Sequence, residues 1–216
     1  MSDNISLGSD CKDLFRSAYL NRYTWSESFT GYKGTCRFSS DQVNSTGSFI
    51  LTKNSKPQVE NIHEPDIVKA ISSQLWEVSI HRVRRSFKDV HGDNTFTAGE
   101  LNDIGREILV GGKNKGDKYA VKDNIVTMVY RNMHGVIINI YTTETIDTSQ
   151  GYLSKSYTST FLDPETFQVK GNTSFFLDKF VPLYKNGPWV LSDRQIDSKD
   201  QSGSKISHQR FSFIDL

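Results

Sequence analysis

From Glu107 to the C-terminus the chain reads as one strand candidate after another. "EILVGG", "DKYAVKDN", "IVTMVYRNM", "GVIINIYTTETID", "GYLSKSYTSTFLDP", "SFFLDKFVPLY", "PWVLSDRQI" and "ISHQRFSFIDL" are rich in Val, Ile, Thr, Tyr and Phe. Turn material bearing Asn, Gly, Asp or Pro separates them. A parallel strand pair needs a crossover of about a dozen residues or more, usually a helix. No gap in this region holds a helical segment of that length. The strands must therefore pair antiparallel, as a β-meander over about residues 105–216.

The helical signals lie earlier. "SDCKDLFRSAYLNRY", residues 9–23, carries Leu14, Phe15, Ala18 and Tyr19 at helical spacing, with Ser9 or Asp10 placed to cap a short N-terminal helix. Between Lys33 and Glu60, "GTCRFSS" and "TGSFILTK" alternate as strands, with Asn54 and Ser55 as turn residues. Pro65 suits a first helical turn, and a second helix is expected over about residues 65–88. At that length it extends roughly 35 Å. Its apolar residues fall on two offset stripes: Ile67, Val68, Ile71, Leu75 and Val78 form the first, and Trp76, Ile80, Val83 and Phe87 the second. His81, Arg84, Arg85 and Lys88 project from a third side, whereas Arg82, four residues past Val78, continues the first stripe. So long a helix needs a broad apolar surface to cover, and a curved sheet offers one. The expected fold class is α+β, predominantly antiparallel β: a curved meander sheet or incomplete barrel packed on one long helix, with the short N-terminal helix added. No repeat or Pro-rich linker divides the chain, so residues 1–216 are expected to form a single domain.

Composition narrows the partners. With 26 Lys and Arg against 25 Asp and Glu, the net charge of +1 supplies no overall field for nucleic acid or an anionic membrane, so binding of either kind needs a local patch. No nucleic-acid motif is present, and no nucleic-acid partner is expected. Cys11 and Cys36 stand outside any Cys-x-x-Cys pair and read as two reduced thiols; no metal site and no cofactor is expected. "MSDNISLGSDCKDLF" lacks a basic start and an apolar run, and no window approaches the roughly eighteen apolar residues of a transmembrane segment. These features point to a cytoplasmic chain that is not secreted.

The segment "WEVSIHRVRRSFKDVHGDN" concentrates the residues that could carry chemistry. His81, His91, Asp93 and His134 are candidates for a general base or metal ligands. His81 and His91, ten residues apart, match no metal-ligand spacing, and neither a Gly-x-Ser-x-Gly elbow nor a Cys–His signature is present. "LVGGKNKGDKY" lacks the Gly-Lys-Ser/Thr ending of a phosphate loop and is explained by a turn between strands. His91-Gly92-Asp93-Asn94 also reads as a helix stop with Gly92 in a left-handed cap, and His134-Gly135 as a hairpin turn. Arg84, Arg85 and Lys88 suit a solvated face. Arg82, on an apolar stripe, calls for a sheet carboxylate or for an anion in a cavity. The Ser and Thr residues of "YTTET" and "SKSYTST" fit either a solvated outer face or a partly polar concavity.

The segments "DLFRSAYLNRYTW", "QLWEVSIHRVRRSF", "HGDNTF", "EILVGGKNKGDKYAVKDN", "HGVIINI" and "GYLSKSYTSTFLDPET" resemble an uncharacterised family of cyanobacterial and plastid-lineage proteins, a domain of unknown function. The likeness spans roughly Asp13 to Gln195, with His-Arg-Val-Arg-Arg as its most specific element. It implies a cytoplasmic or stromal setting in a photosynthetic organism and no transferable reaction. A fainter, fold-level similarity is to half-barrel carriers that shelter lipid chains and to calycin-type pigment binders. The function expected first is non-catalytic binding of an apolar or amphipathic small molecule, lipid or pigment. Trp76, Ile80, Val83 and Phe87 would line its apolar part, and Arg82 with Tyr119 or Tyr130 would meet its head. A second expectation is an assembly factor that docks an acidic protein partner through His81, Arg84, Arg85 and Lys88. An enzyme of unknown class using His81, His91 and Asp93 ranks third.

Overall fold

The alternation read from the β-rich region produces antiparallel pairing throughout. The computed structural model describes residues 3–52 and 56–216, with side chains from Asp10 onward. Asn54 and Ser55, expected as turn residues, lie outside the described residues, as does the side chain of Ser9. In chain order the elements are α1 (Asp3–Leu20), β1 (Gly31–Ser40), β2 (Asn44–Thr52), β3 (Gln58–Glu60), α2 (Pro65–Arg82) and α3 (Phe87–His91). Then follow β4 (Asn94–Asn102), β5 (Gly105–Gly112), β6 (Lys118–Lys122), β7 (Ile125–Met133), β8 (Val136–Asp147) and β9 (Tyr152–Leu162). The last three are β10 (Thr173–Pro182), β11 (Trp189–Lys199) and β12 (Lys205–Ile214). The chain divides into two compact units.

The first unit comprises Met1–Tyr23, Arg85–Ser174 and Asp200–Ser202. Its strands run in the order β9-β8-β7-β6-β5-β4, each hairpin-connected to the next. One face of this sheet carries Phe96, Ile108, Val110, Tyr119 and Val121, and it is covered by Cys11, Phe15, Ala18 and Tyr19 of α1 and by Phe87 of α3. Phe15 stacks on Tyr119 with ring centroids 4.3 Å apart. Helix α1 starts earlier than the expected 9–23 and ends at Leu20, so Asp10 lies inside it rather than capping it. Leu14, expected on the apolar stripe, is exposed; Cys11 completes that face instead. The helix stops because the following backbone is captured by the sheet: Tyr152 N donates to Asn21 O and Tyr23 N donates to Tyr152 O, both at 2.9 Å. His134 and Gly135, with φ of 54° and 79°, form the expected two-residue hairpin turn between β7 and β8.

The second unit comprises Thr24–Arg84, Phe175–Lys199 and Gly203–Leu216. Its strands follow the order β3-β2-β1-β12-β11-β10, so segments far apart in sequence share one sheet. Cys36 lies opposite Phe213 and Phe38 opposite Phe211, all four buried. Helix α2 begins at Pro65 as the sequence suggests and buries Ile67, Ile71, Leu75, Val78 and Ser79.

The expected helix over 65–88 is two helices. Arg82 is the last residue of α2, and Val83 is extended (φ −74°, ψ 124°). Ser86 is extended as well (φ −66°, ψ 146°), and its hydroxyl accepts from Asp89 N to cap α3. A β-branched residue followed three positions later by an N-cap serine interrupts the periodicity that the apolar pattern carries through. Trp76, Ile80, Val83 and Phe87 are therefore not carried by one continuous helix. The meander is also longer than 105–216 at its start, since β4 opens at Asn94. Gly92 differs from expectation too: it is right-handed (φ −60°, ψ −33°). Glycine is required there by proximity, because a Cβ would collide with the Lys88 carbonyl oxygen.

Candidate functional site

Period-two alternation in β10 and β11 places charge where an apolar core is expected. Phe176, Asp178 and Phe180 share one face of β10, as Val190, Arg194 and Ile196 share one face of β11. Arg194 and Asp178 are both almost fully buried. Arg194 Nε donates to Asp178 Oδ1 at 2.7 Å, and Nη2 to Oδ2 at 2.6 Å. Its Nη1 reaches α2, donating to Gln74 Oε1 at 2.8 Å and to Glu77 Oε2 at 3.2 Å. Gln74 and Glu77, three residues apart, present adjacent side chains on the helix. The Phe176 ring lies 5.3 Å from the same guanidinium. Burial pushes the Asp178 carboxyl above its ordinary range, and the Arg194 guanidinium is the largest influence opposing that rise. The bidentate pair joins β10 to β11, and Nη1 of the same guanidinium ties α2 to the sheet through Gln74 and Glu77.

Two buried hydroxyls in this unit behave differently. Tyr32 Oη on β1 and Ser79 Oγ on α2 have no hydrogen-bond partner among the described residues. Tyr32 is packed against Phe49 with ring centroids 5.4 Å apart, and against Trp25 and Phe29 with centroids 6.3 Å away in each case. Burial raises its phenol well above the ordinary value, with Arg194 acting in the opposite direction. A buried hydroxyl left unsatisfied costs about 1–3 kcal/mol, so native interiors rarely keep one without a reason.

The residues expected to bind a ligand are split between the units. Trp76, Ile80, Arg82 and Val83 belong to the second unit and are half-buried. Arg82 sits over the Phe180 ring at 5.7 Å, and its carbonyl accepts from Trp25 N at 2.8 Å. Phe87, Tyr119 and Tyr130 belong to the first unit. Phe87 and Tyr119 are core residues there, while the Tyr130 ring lies 5.7 Å from the Lys118 ammonium. A buried carboxylate pairing in this unit is made by Arg194 with Asp178. Sequence signals for it exist: read with period two, "SFFLDKF" places Asp178 between two inward phenylalanines, and "VLSDRQI" places Arg194 among inward aliphatics.

The residues expected on one basic helix face are distributed over three segments of the chain. His81 lies on α2, Arg84 and Arg85 in the connection, and Lys88 on α3. All four are exposed. Arg84 Nε donates to Thr24 Oγ1 at 3.2 Å, and the Arg85 carbonyl accepts from Tyr19 Oη at 3.2 Å.

The expected catalytic residues are divided between the units as well. His81 belongs to the second unit, His91 and Asp93 to the first. His91 is buried among Phe15, Tyr19, Phe87 and Tyr119, with ring centroids between 5.0 and 5.9 Å. Burial, aided by Arg131 and Arg22, lowers its pKa to about 4. Its Nδ1 lies 3.4 Å from Asn94 Nδ2. Asp93 is exposed, and its carbonyl accepts from Lys113 N at 3.2 Å. His134 occupies the exposed β7–β8 turn. Among the described residues no group of three His, Cys, Asp or Glu side chains could hold a metal ion. No helix among them is long and apolar enough to cross a membrane.

Among the described residues, twelve strands in antiparallel arrangement with few helices define a mostly antiparallel β protein. Residues 7–216 match the model of the family described as protein of unknown function DUF3386, and the chain belongs to that family. That family is one of unknown function, as the resemblance implied; its lineage is a separate question. No curated protein matches it. Among solved structures, it is similar to a DUF1329 family protein from Desulfovibrio piger, with 9% identity, a TM-score of 0.29, and coverage of 97% of this chain and 92% of that one. It is also similar to a LolA superfamily protein from Nitrosomonas europaea, with 9% identity, a TM-score of 0.27, and coverage of 95% and 94%.

Proposed function

We propose that the second unit is a non-catalytic binding module for an amphipathic small molecule, held between α2 and the sheet that it covers. The observation that carries this reading is the pair of buried, unpartnered hydroxyls, Tyr32 Oη on the sheet and Ser79 Oγ on the helix. A bound polar head supplies the missing hydrogen bonds and removes the cost of leaving them unmade. Arg82 contributes positive charge to the head, and Trp76, Ile80 and Val83, half-buried beside it in sequence, contribute apolar contact. Arg194 has a structural role, because Asp178, Gln74 and Glu77 already take four of its hydrogen bonds.

The test is a fluorescence titration with a dansylated fatty acid, using the wild type and a variant combining Tyr32→Phe with Ser79→Ala. Each hydroxyl contributes one net hydrogen bond of about 1 kcal/mol, so the double variant should bind about 30-fold more weakly. Its ligand-free stability should be equal to or above that of the wild type, because two unsatisfied groups have been removed from the interior. Unchanged affinity would contradict the reading.

A further inference from the structure

We infer that the face of the second unit's sheet turned away from α2 docks on a bilayer containing anionic lipid. Alternation with the buried residues of each strand defines that face. Lys33 and Arg37 of β1 alternate with buried Tyr32, Cys36 and Phe38. Arg210 of β12 alternates with Phe211 and Phe213, and Lys179 of β10 with Asp178 and Phe180. Pairing brings these positions into one array, with Arg37 opposite Ser212 on β12 and Ser212 opposite Asp193 on β11.

The array is basic although the chain as a whole is nearly neutral, with a net charge of +1. Its carboxylates are Asp193, Asp197 and Glu60. Asp193 is engaged by Arg210 at 2.9 Å, and Asp197 by both Lys205 and His208 at 2.9 Å. Lys33, Arg37 and Lys179 remain exposed, and none makes an ion pair among the described residues. Apolar side chains stand between these cations. Ile50 lies directly across from Lys33 and is 41% exposed, while Phe175 and Leu177 flank Lys179 on β10 at 37% and 43%. Lys199 extends over the Phe175 ring at 4.8 Å.

Unpaired ammonium and guanidinium groups interspersed with exposed Ile, Leu and Phe match an interface with negative headgroups at its surface and hydrocarbon just below. Charge complementarity selects the anionic bilayer as partner, since each Lys or Arg at such a surface is attracted independently of any fixed register. This surface is separate from the proposed ligand site, and its test does not require a ligand.

The experiment is co-sedimentation of the full chain with vesicles of phosphatidylcholine alone, and of phosphatidylcholine mixed with phosphatidylglycerol. The chain should sediment with the mixed vesicles, stay in solution with the neutral ones, and be released by salt. A variant carrying Lys33→Glu, Arg37→Glu and Lys179→Glu should lose at least about 100-fold in partitioning to the mixed vesicles. All three side chains are exposed, so its urea midpoint should match the wild type and thereby separate lost docking from lost folding. Equal sedimentation with both vesicle types would overturn the inference. So would no sedimentation with either, which would turn attention to acidic proteins, or a triple variant that sediments like the wild type.

Discussion

Removing the Asp178 carboxylate would leave Arg194 buried without the bidentate partner that neutralises it, facing the partly exposed Glu77 carboxylate. Breaking a buried pair from one side costs about 3–5 kcal/mol, far more than the net worth of the intact pair. Asp178→Ala should therefore lower the unfolding free energy by that amount, read as an earlier urea midpoint at constant slope, and a loss under about 1 kcal/mol would mean that Arg194 is solvated. His91 acts in the other unit through protonation. Its pKa falls from 6.5 to about 4 on folding. Between those values the unfolded chain binds a proton that the folded chain does not, so stability drops as pH falls through the window. The full loss attributable to His91 is about 3 kcal/mol, and the contribution is absent above the window. His91→Phe should flatten the wild-type stability–pH curve between pH 6.5 and 4 by that amount; parallel curves for the two proteins would contradict the burial argument. At this scale the sequence was partly legible. Which carboxylate Arg194 meets depends on how β10 and β11 align beneath the helix, and no spacing within one segment carries that. The role of His91 depends equally on rings contributed by α1, α3 and β6, which no local pattern brings together.

Helix limits show what periodicity can and cannot carry. The apolar rhythm continues through Val83 to Phe87, yet the backbone leaves helical geometry at Val83 and restarts after Ser86. Arg82 O accepts from Trp25 N across 2.8 Å, a tertiary hydrogen bond at the very end of α2. Apolar spacing registers none of this, because both helices are amphipathic and happen to keep phase. Ser86→Ala tests the break directly. It removes the cap on Asp89 N and should cost about 1 kcal/mol, seen as a lower thermal midpoint. If α2 and α3 instead behaved as one continuous helix, alanine would be neutral or stabilising. Strands were easier to read than helices. Their two-residue alternation, Asn- and Gly-bearing turns and lack of crossover segments leave only antiparallel pairing, and the turn at His134-Gly135 sets the register of β7 on β8. The Ser- and Thr-rich stretch of β9 resisted assignment for a physical reason: residues 154–160 are all half-buried, whichever face they occupy.

At the scale of the whole molecule, each unit is assembled from segments far apart in sequence. Strand β1 pairs with β12, joining residues near 36 to residues near 213, and local patterns contain no information about such a partner. The resulting unit combines a helix tied down by a buried ion pair, an interior with two unpartnered hydroxyls, and an outer sheet face carrying unpaired cations. Each has its own proposed role: the ion pair is structural, the hydroxyls meet a ligand head, and the cations meet a membrane. The ligand is the central claim. Native mass spectrometry of the chain purified from its own cells, compared with the same sample denatured, tests it most directly. The expected result is a stoichiometric added mass that organic solvent extracts as an amphipathic molecule, and that is lost when Tyr32→Phe and Ser79→Ala are combined. A chain that carries the same bare mass in both measurements would contradict it.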